Sequence, residues 1–195
     1  MEHYYTEKPT SKYLESEIKI SLNEDVFYIN SASGVFARGG LDSASKLLIE
    51  SANLPESGDI LDLGCGYGVI GLAVLRKKNE YNVTFSDVNE RALNLVRNNL
   101  KKLKLRGKVI KSDGFEKIKK SFDCILLNPP MAAGRKTCFK LIEDSYNHLN
   151  SNGTLQIVAR HNKGGKVLQE KMNEVYGKTE VLSKKSGFRV YMAKK

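Results

Sequence analysis

Asn128, Pro129 and Pro130 stand directly after the apolar run Phe122-Asp123-Cys124-Ile125-Leu126-Leu127, and half of the chain's four prolines are spent there. Asn-Pro is a common turn opener, so a plain turn is the bland alternative. Its place at the end of a strand-like run gives the triplet a chemical use. An amine conjugated to a ring is a poor nucleophile, because its lone pair is delocalised. The Asn128 side-chain oxygen and the Pro129 carbonyl can each accept one amine hydrogen and leave the nitrogen lone pair aimed at an electrophile. Two prolines steady that carbonyl by fixing φ and narrowing the backbone's choices. No strong base is needed before the new bond forms, since the nitrogen becomes acidic once alkylated, and no histidine or cysteine stands beside the motif.

A second group lies upstream. Ile60-Leu61-Asp62-Leu63 runs into Gly64-Cys65-Gly66-Tyr67-Gly68 and then into a helical pattern, which puts a glycine-rich turn at the carboxyl end of a strand. Glycines there admit positive φ and let the backbone approach a ligand. Asp87 closes the next strand about 20 residues on, where a carboxylate can accept hydrogen bonds from both ribose hydroxyls. Together these describe a pocket for an adenosine-containing cofactor. Gly66-Tyr67-Gly68-Val69-Ile70-Gly71 also satisfies the dinucleotide pattern G-x-G-x-x-G. Three features oppose a nicotinamide cofactor. The match starts two positions after the first glycine of the turn. Asp62 would repel a pyrophosphate but attract an ammonium or sulfonium. The antiparallel end of the chain is also unusual for a dinucleotide domain.

The elements that must carry these residues follow from periodicity. Glu17 to Leu22 and Val26 to Ser31 alternate around Asn23-Glu24-Asp25 and predict a hairpin. Leu41, Ala44, Leu47, Leu48 and Ala52 predict a helix capped by Asp42 or Ser43. Strands are expected at 59–63, 81–86, 108–111, 122–127 and 154–159, and helices at 69–78, 89–102, 135–149 and 165–176. Such alternation implies a mostly parallel sheet covered by helices on both faces. Thr179–Ser183 and Phe188–Ala193 flank Lys184-Lys185-Ser186-Gly187 and must be antiparallel.

With 195 residues and 41% hydrophobic composition, the chain reads as one domain able to bury a core. No apolar run approaches the ~18 to 20 residues that span a bilayer, so a soluble, cytoplasmic protein is expected. Cys65, Cys124, Cys138, His3, His148 and His161 are scattered singly, which suggests neither a disulfide framework nor a metal site. The net charge of +10 is uneven: nine basic against two acidic residues between Lys101 and Lys120, and ten against three between Arg160 and Lys195, give each stretch +7. Such segments can present a basic face to nucleic acid, or merely solvate exposed surfaces.

Along its whole length the chain resembles class I S-adenosylmethionine-dependent methyltransferases. It is most similar to the small-domain family that includes the guanine methyltransferases of small-subunit ribosomal RNA. Gly34-Val35-Phe36 with Leu41-Asp42, the Asp62 to Gly68 turn, Asn128-Pro129-Pro130 and the terminal hairpin carry the likeness. The resemblance implies a Rossmann-like, doubly wound α/β fold with a mostly parallel seven-stranded sheet, a C-terminal antiparallel hairpin and a short N-terminal hairpin. Residues 1–40 would form that hairpin and a lid, and residues 41–195 the catalytic core. It further implies that Asp62, Gly64, Cys65, Gly66 and Gly68 line the methionine end of the cofactor. Asp87 and Val88 would hold its ribose, Asp113 and Gly114 its adenine, and Asn128 would border both cofactor and acceptor. Asn128, Pro129 and Pro130 would be catalytic, with Phe36, Arg38, Met131 and Arg135 on the substrate. The partner would be RNA, ribosomal by resemblance, with no metal and no membrane. Met131 departs from the family, where an aromatic commonly follows the prolines and stacks the target. Protein glutamine, DNA adenine and a non-catalytic RNA scaffold therefore stay open as alternatives.

Overall fold

The apolar runs read as strands become the middle of a seven-stranded sheet in the computed structural model, which describes residues 15–22, 25–32, 40–78 and 80–195. The chain runs β1 (Glu15–Leu22), β2 (Asp25–Ala32), α1 (Ser43–Ser51), β3 (Asp59–Leu63), α2 (Val69–Lys77), β4 (Asn82–Asp87), α3 (Glu90–Lys102) and β5 (Lys108–Lys111). It continues through β6 (Phe122–Leu127), α4 (Arg135–Asn147), β7 (Leu149–Arg160), α5 (Lys166–Tyr176), β8 (Thr179–Lys185) and β9 (Phe188–Lys194). The main sheet has the order β5-β4-β3-β6-β7-β9-β8, and β1 pairs with β2 in a sheet of their own. Only β9 runs against its neighbours, because the tight turn after β8 sends it back into the gap beside β7. The expected fold class is the one observed.

Two hydrophobic clusters lie on the two sides of the sheet. One joins α1, α2, α3 and the N-terminal hairpin through residues such as Ile20, Phe27, Leu48, Leu72 and Leu93. The other joins α4 and α5 through Ile142, Leu168 and Met172. The hairpin is latched by polar contacts as well. Asn99, fully buried on α3, donates to Asn30 O and Tyr67 O at 3.0 and 3.2 Å and accepts from Asn30 N at 2.7 Å. Arg76 adds a pair to Asp25 at 2.5 Å while its guanidinium lies 4.8 Å from the Phe27 ring centre.

Most boundaries lie within two residues of the periodic reading, and the largest difference is at β7. The strand expected at 154–159 begins at Leu149, which pairs with Phe122. Between them the register shifts, Asn152 takes a φ of 66°, and Asn150 donates to Asp123 at 2.8 Å. A bulged stretch of polar residues carries no alternation for the sequence to display. At the other end, β8 runs on to Lys185, leaving Ser186 and Gly187, at φ 50° and 80°, as a two-residue hairpin loop.

Among the described residues no helix is long and apolar enough to cross a membrane. No group of three or more His, Cys, Asp and Glu side chains among them could hold a metal. All three cysteines are free and buried, as small hydrophobes. Burial pushes the Cys124 thiol up to about 12.

Candidate active site

β3 is followed by β4 and β5 on one side and by β6 on the other, so the direction of winding reverses between β3 and β6. In such sheets ligands sit outside the carboxyl ends of the strands at this switch point. Leu63 pairs with Leu127 across β3 and β6, which makes Gly64 and Asn128 the next positions on neighbouring strands. A cavity of about 670 Å³ opens there, within the range of small-molecule sites. The glycine turn and the Asn-Pro-Pro triplet therefore face one space.

The glycines divide into two pairs. At Gly64 (φ +65°) and Gly66 (φ +55°) an added Cβ would meet nothing within 4 Å, so these positions line open cavity. At Gly68 a Cβ would lie 2.9 Å from Val96, and at Gly71 one would lie 2.4 Å from the Phe85 ring. Gly68 thus does not line the cavity as expected: it caps α2 with a φ of 88° and lets the helix pack closely on the sheet. The second and third glycines of the dinucleotide pattern are thus packing positions.

Asp62 is a second correction. It lies beneath the turn, fully buried and off the cavity wall, with Oδ2 accepting from Gly71 N at 2.8 Å and Oδ1 without a partner among the described residues. Burial pushes its carboxyl up to about 7; the Gly71 N–H opposes this, and the nearby charge of Asp87 adds to it. Asp87 does line the cavity. Its Oδ2 accepts from Gly66 N and its Oδ1 from Asn89 N, both at 2.8 Å, so the carboxylate clamps the turn. The carboxylate keeps acceptor capacity for a hydroxyl. Burial raises the Asp87 pKa, while the N–H donors of Asn89, Gly66 and Val88 pull it down.

Cys65, Val88, Asp113, Gly114, Pro129, Pro130 and Met131 line the cavity too. Arg135 does not, because the α4 positions that reach it are Thr137 and Leu141, and two residues from Thr137 turns Arg135 some 200° round the helix. Phe36 and Arg38 lie outside the described residues. Of the two aromatics of the final hairpin, Phe188 lines the cavity, while Tyr191 is fully buried in the cluster under α4 and α5. The Arg160 guanidinium, also on the cavity wall, sits 4.7 Å from the Phe188 ring centre.

Ser45 was not legible beforehand. It is buried on the first turn of α1, whose start is set by Asp42: Oδ1 accepts from Ala44 N at 3.0 Å and Ser45 N at 2.9 Å. Asn128 Nδ2 donates to Ser45 Oγ at 3.1 Å, across 83 residues of chain. That bond orients the amide and leaves Oδ1 as the free acceptor among the described residues. The Pro129 carbonyl already accepts from Met131 N at 2.8 Å and retains its second lone pair. Asp42 Oδ2 and Ser86 Oγ are buried without partners among the described residues, and both residues line the cavity. Polar groups left so are the ones a polar ligand satisfies.

Comparison with known proteins agrees with this geometry. The family described as Methyltransferase small domain matches residues 27–192. YbxB of Bacillus subtilis is 38% identical over 100% of this chain and 98% of its own length. Ribosomal RNA small subunit methyltransferase C of Hamiltonella defensa is 37% identical over 85% of this chain, but the match spans only 49% of that protein. Among solved structures, the 16S rRNA N2 G1207 methyltransferase of T. thermophilus, in complex with AdoMet and guanosine, superposes with a TM-score of 0.80 at 20% identity. The match covers 96% of this chain and 52% of that one.

Proposed function

Since the chain belongs to the methyltransferase small-domain family, we propose that it transfers a methyl group from S-adenosylmethionine to the exocyclic amine of a nucleobase, guanine in ribosomal RNA. The observation that carries this reading is the Asn128 amide, oriented by Ser45, one strand away from the Gly64 turn. The names of the relatives support the acceptor, and a ribosomal RNA substrate supports a cytoplasmic location.

The residues present fit the cofactor. Gly64 and Gly66 leave the room its methionine part needs, Asp87 offers acceptors to the ribose, and Asp113 and Gly114 border the space for adenine. When bound, S-adenosylmethionine supplies a methyl carbon made electrophilic by a sulfonium. Asn128 Oδ1 and the Pro129 carbonyl take the two amine hydrogens and turn the nitrogen lone pair toward that carbon. With the donor held by Gly64, Gly66 and Asp87, the N–C bond would form as the donor's C–S bond breaks and its electron pair passes to sulfur. The surplus proton then leaves the nitrogen for water. Met131, at the cavity mouth and 40% exposed, covers one face of the acceptor.

Labelled S-adenosylmethionine offered with separate pools of undermethylated ribosomal RNA, DNA and protein should label RNA, as methylguanine on nucleoside analysis. Label confined to protein or DNA would overturn the reading. The two glycine classes give another test. Gly64→Ala should melt only about 1 to 2 kcal/mol less stably, the cost of a left-handed alanine, while its methyl occupies ligand space and weakens cofactor binding at least tenfold. Gly71→Ala, pressed against Phe85, should lose about 1 to 3 kcal/mol of stability with cofactor affinity nearly unchanged in the folded fraction. Calorimetric titration and urea unfolding of both variants separate the two roles.

A further inference from the structure

The two basic segments end at opposite edges of the sheet. Residues 101–120 surround β5, beyond the Asp87 and Asp113 end of the cavity, and two of their lysines are already paired, Lys102 with Glu17 and Lys120 with Asp59. The C-terminal segment surrounds β8 and β9, beyond the Asn128 end, the side to which the proposed function assigns the acceptor. A second cleft of about 280 Å³ opens there, lined by His161, Lys184, Lys185, Ser186 and Arg189 among others, and Phe188 is a wall shared with the main cavity.

Register shows how the two spaces connect. Arg160 pairs with Phe188, and Phe188 with Lys185, so their side chains stand in one row across β7, β9 and β8. An aromatic ring flanked by two cations suits a nucleotide strand, the ring offering a stacking face and the cations holding phosphates. Lys184, Lys185 and Arg189 have no carboxylate within ion-pair distance among the described residues, so their charge is available. The tip is also held in place: His161 N donates to Gly187 O at 3.0 Å, and His161 Nδ1 lies 2.8 Å from the Tyr191 hydroxyl. The His161 pKa is depressed by burial and then by the charges of Arg189, Lys166 and Lys184, a sign of a positive field in the cleft.

We propose that this cleft binds a backbone phosphate of the RNA next to the nucleotide whose base enters the main cavity, with Lys184, Lys185 and Arg189 as its ligands. The assignment rests on RNA being the acceptor. It gives a small chain a grip on the strand at the side where the amine is presented.

The test uses the full chain and a fluorescein-labelled fragment of small-subunit ribosomal RNA that it methylates. Lys184→Ala/Lys185→Ala/Arg189→Ala is compared with Lys104→Ala/Arg106→Ala/Lys108→Ala, which removes equal charge from exposed positions at the β5 edge. The first variant should raise the Kd about tenfold at ~0.1 M salt. It should also lower the slope of log affinity against log salt by about 0.7, the counterion release at one phosphate of a single strand. Its kcat at saturating RNA and its cofactor affinity should stay within twofold of the parent, which also shows that it folds. The β5 variant should shift Kd less than threefold. Equal losses from both variants, or none from the first, overturn the cleft while leaving RNA methylation intact. If the parent protein labels no RNA at all, the functional reading falls and the cleft assignment with it.

Discussion

Asn128→Ala should lower kcat on RNA by about 10² to 10³-fold, the loss typical of removing one preorganised polar group from a transition state. The cofactor Kd should move less than about threefold, because the glycine turn and Asp87 remain. The amide's worth depends on its orientation, and Ser45 supplies that orientation through a single hydrogen bond at 3.1 Å. Ser45→Ala should therefore cost less, about 2- to 10-fold in kcat, in keeping with one hydrogen bond of ~0.5 to 1.5 kcal/mol. Asn128→Asp keeps an acceptor at the same place and should fall between the two. A merely structural role for Asn128 would instead lower the unfolding midpoint and raise KM with kcat preserved. Steady-state kinetics on the three variants distinguishes these patterns.

The second large effect is on stability, and its sign follows from Asp62. Its carboxyl titrates near 7 in the fold, chiefly because it is buried, against about 3.9 in an unfolded chain. Between those values the folded state holds a proton that the unfolded state has released. Stability contributed at this site is therefore full below the unfolded pKa, falls as pH rises through that window, and is flat above it. Asp62→Asn removes the titration while keeping an acceptor for Gly71 N. The stability of the variant relative to the parent should grow by roughly 2 to 4 kcal/mol between pH 4 and pH 7.5. Urea unfolding at a series of pH values measures this directly. A difference that stays constant with pH would show that Asp62 is not the source. The same variant should bind S-adenosylmethionine more weakly, since a buried negative charge that costs the empty fold attracts the ligand's cationic groups.

The site was legible in the sequence wherever its chemistry is local. Asn128 after a run of leucines, Gly64 after a buried strand, and Asp87 at the close of the next strand each show their position through the residues beside them. The same reasoning failed where a role is decided by what packs from elsewhere. Gly68 looks like Gly66 in one dimension, but Val96 stands over the first and open cavity over the second. Asp62 lies in a strand buried on both faces, and only the packing of α2 on that strand brings the Gly71 N–H to its carboxylate.

By itself the order of residues determined the elements, the parallel alternation and the two chemical motifs, because apolar periodicity, proline and glycine act within a few positions of themselves. Tertiary structure alone decided that Ser45 aims Asn128, and that Phe188 rather than Tyr191 faces the cavity. It also decided which of two equally basic segments adjoins the Asn128 end of the cavity. Those outcomes depend on the order of strands in the sheet, and that order is set by burying both faces at once, a condition that no local stretch of sequence contains.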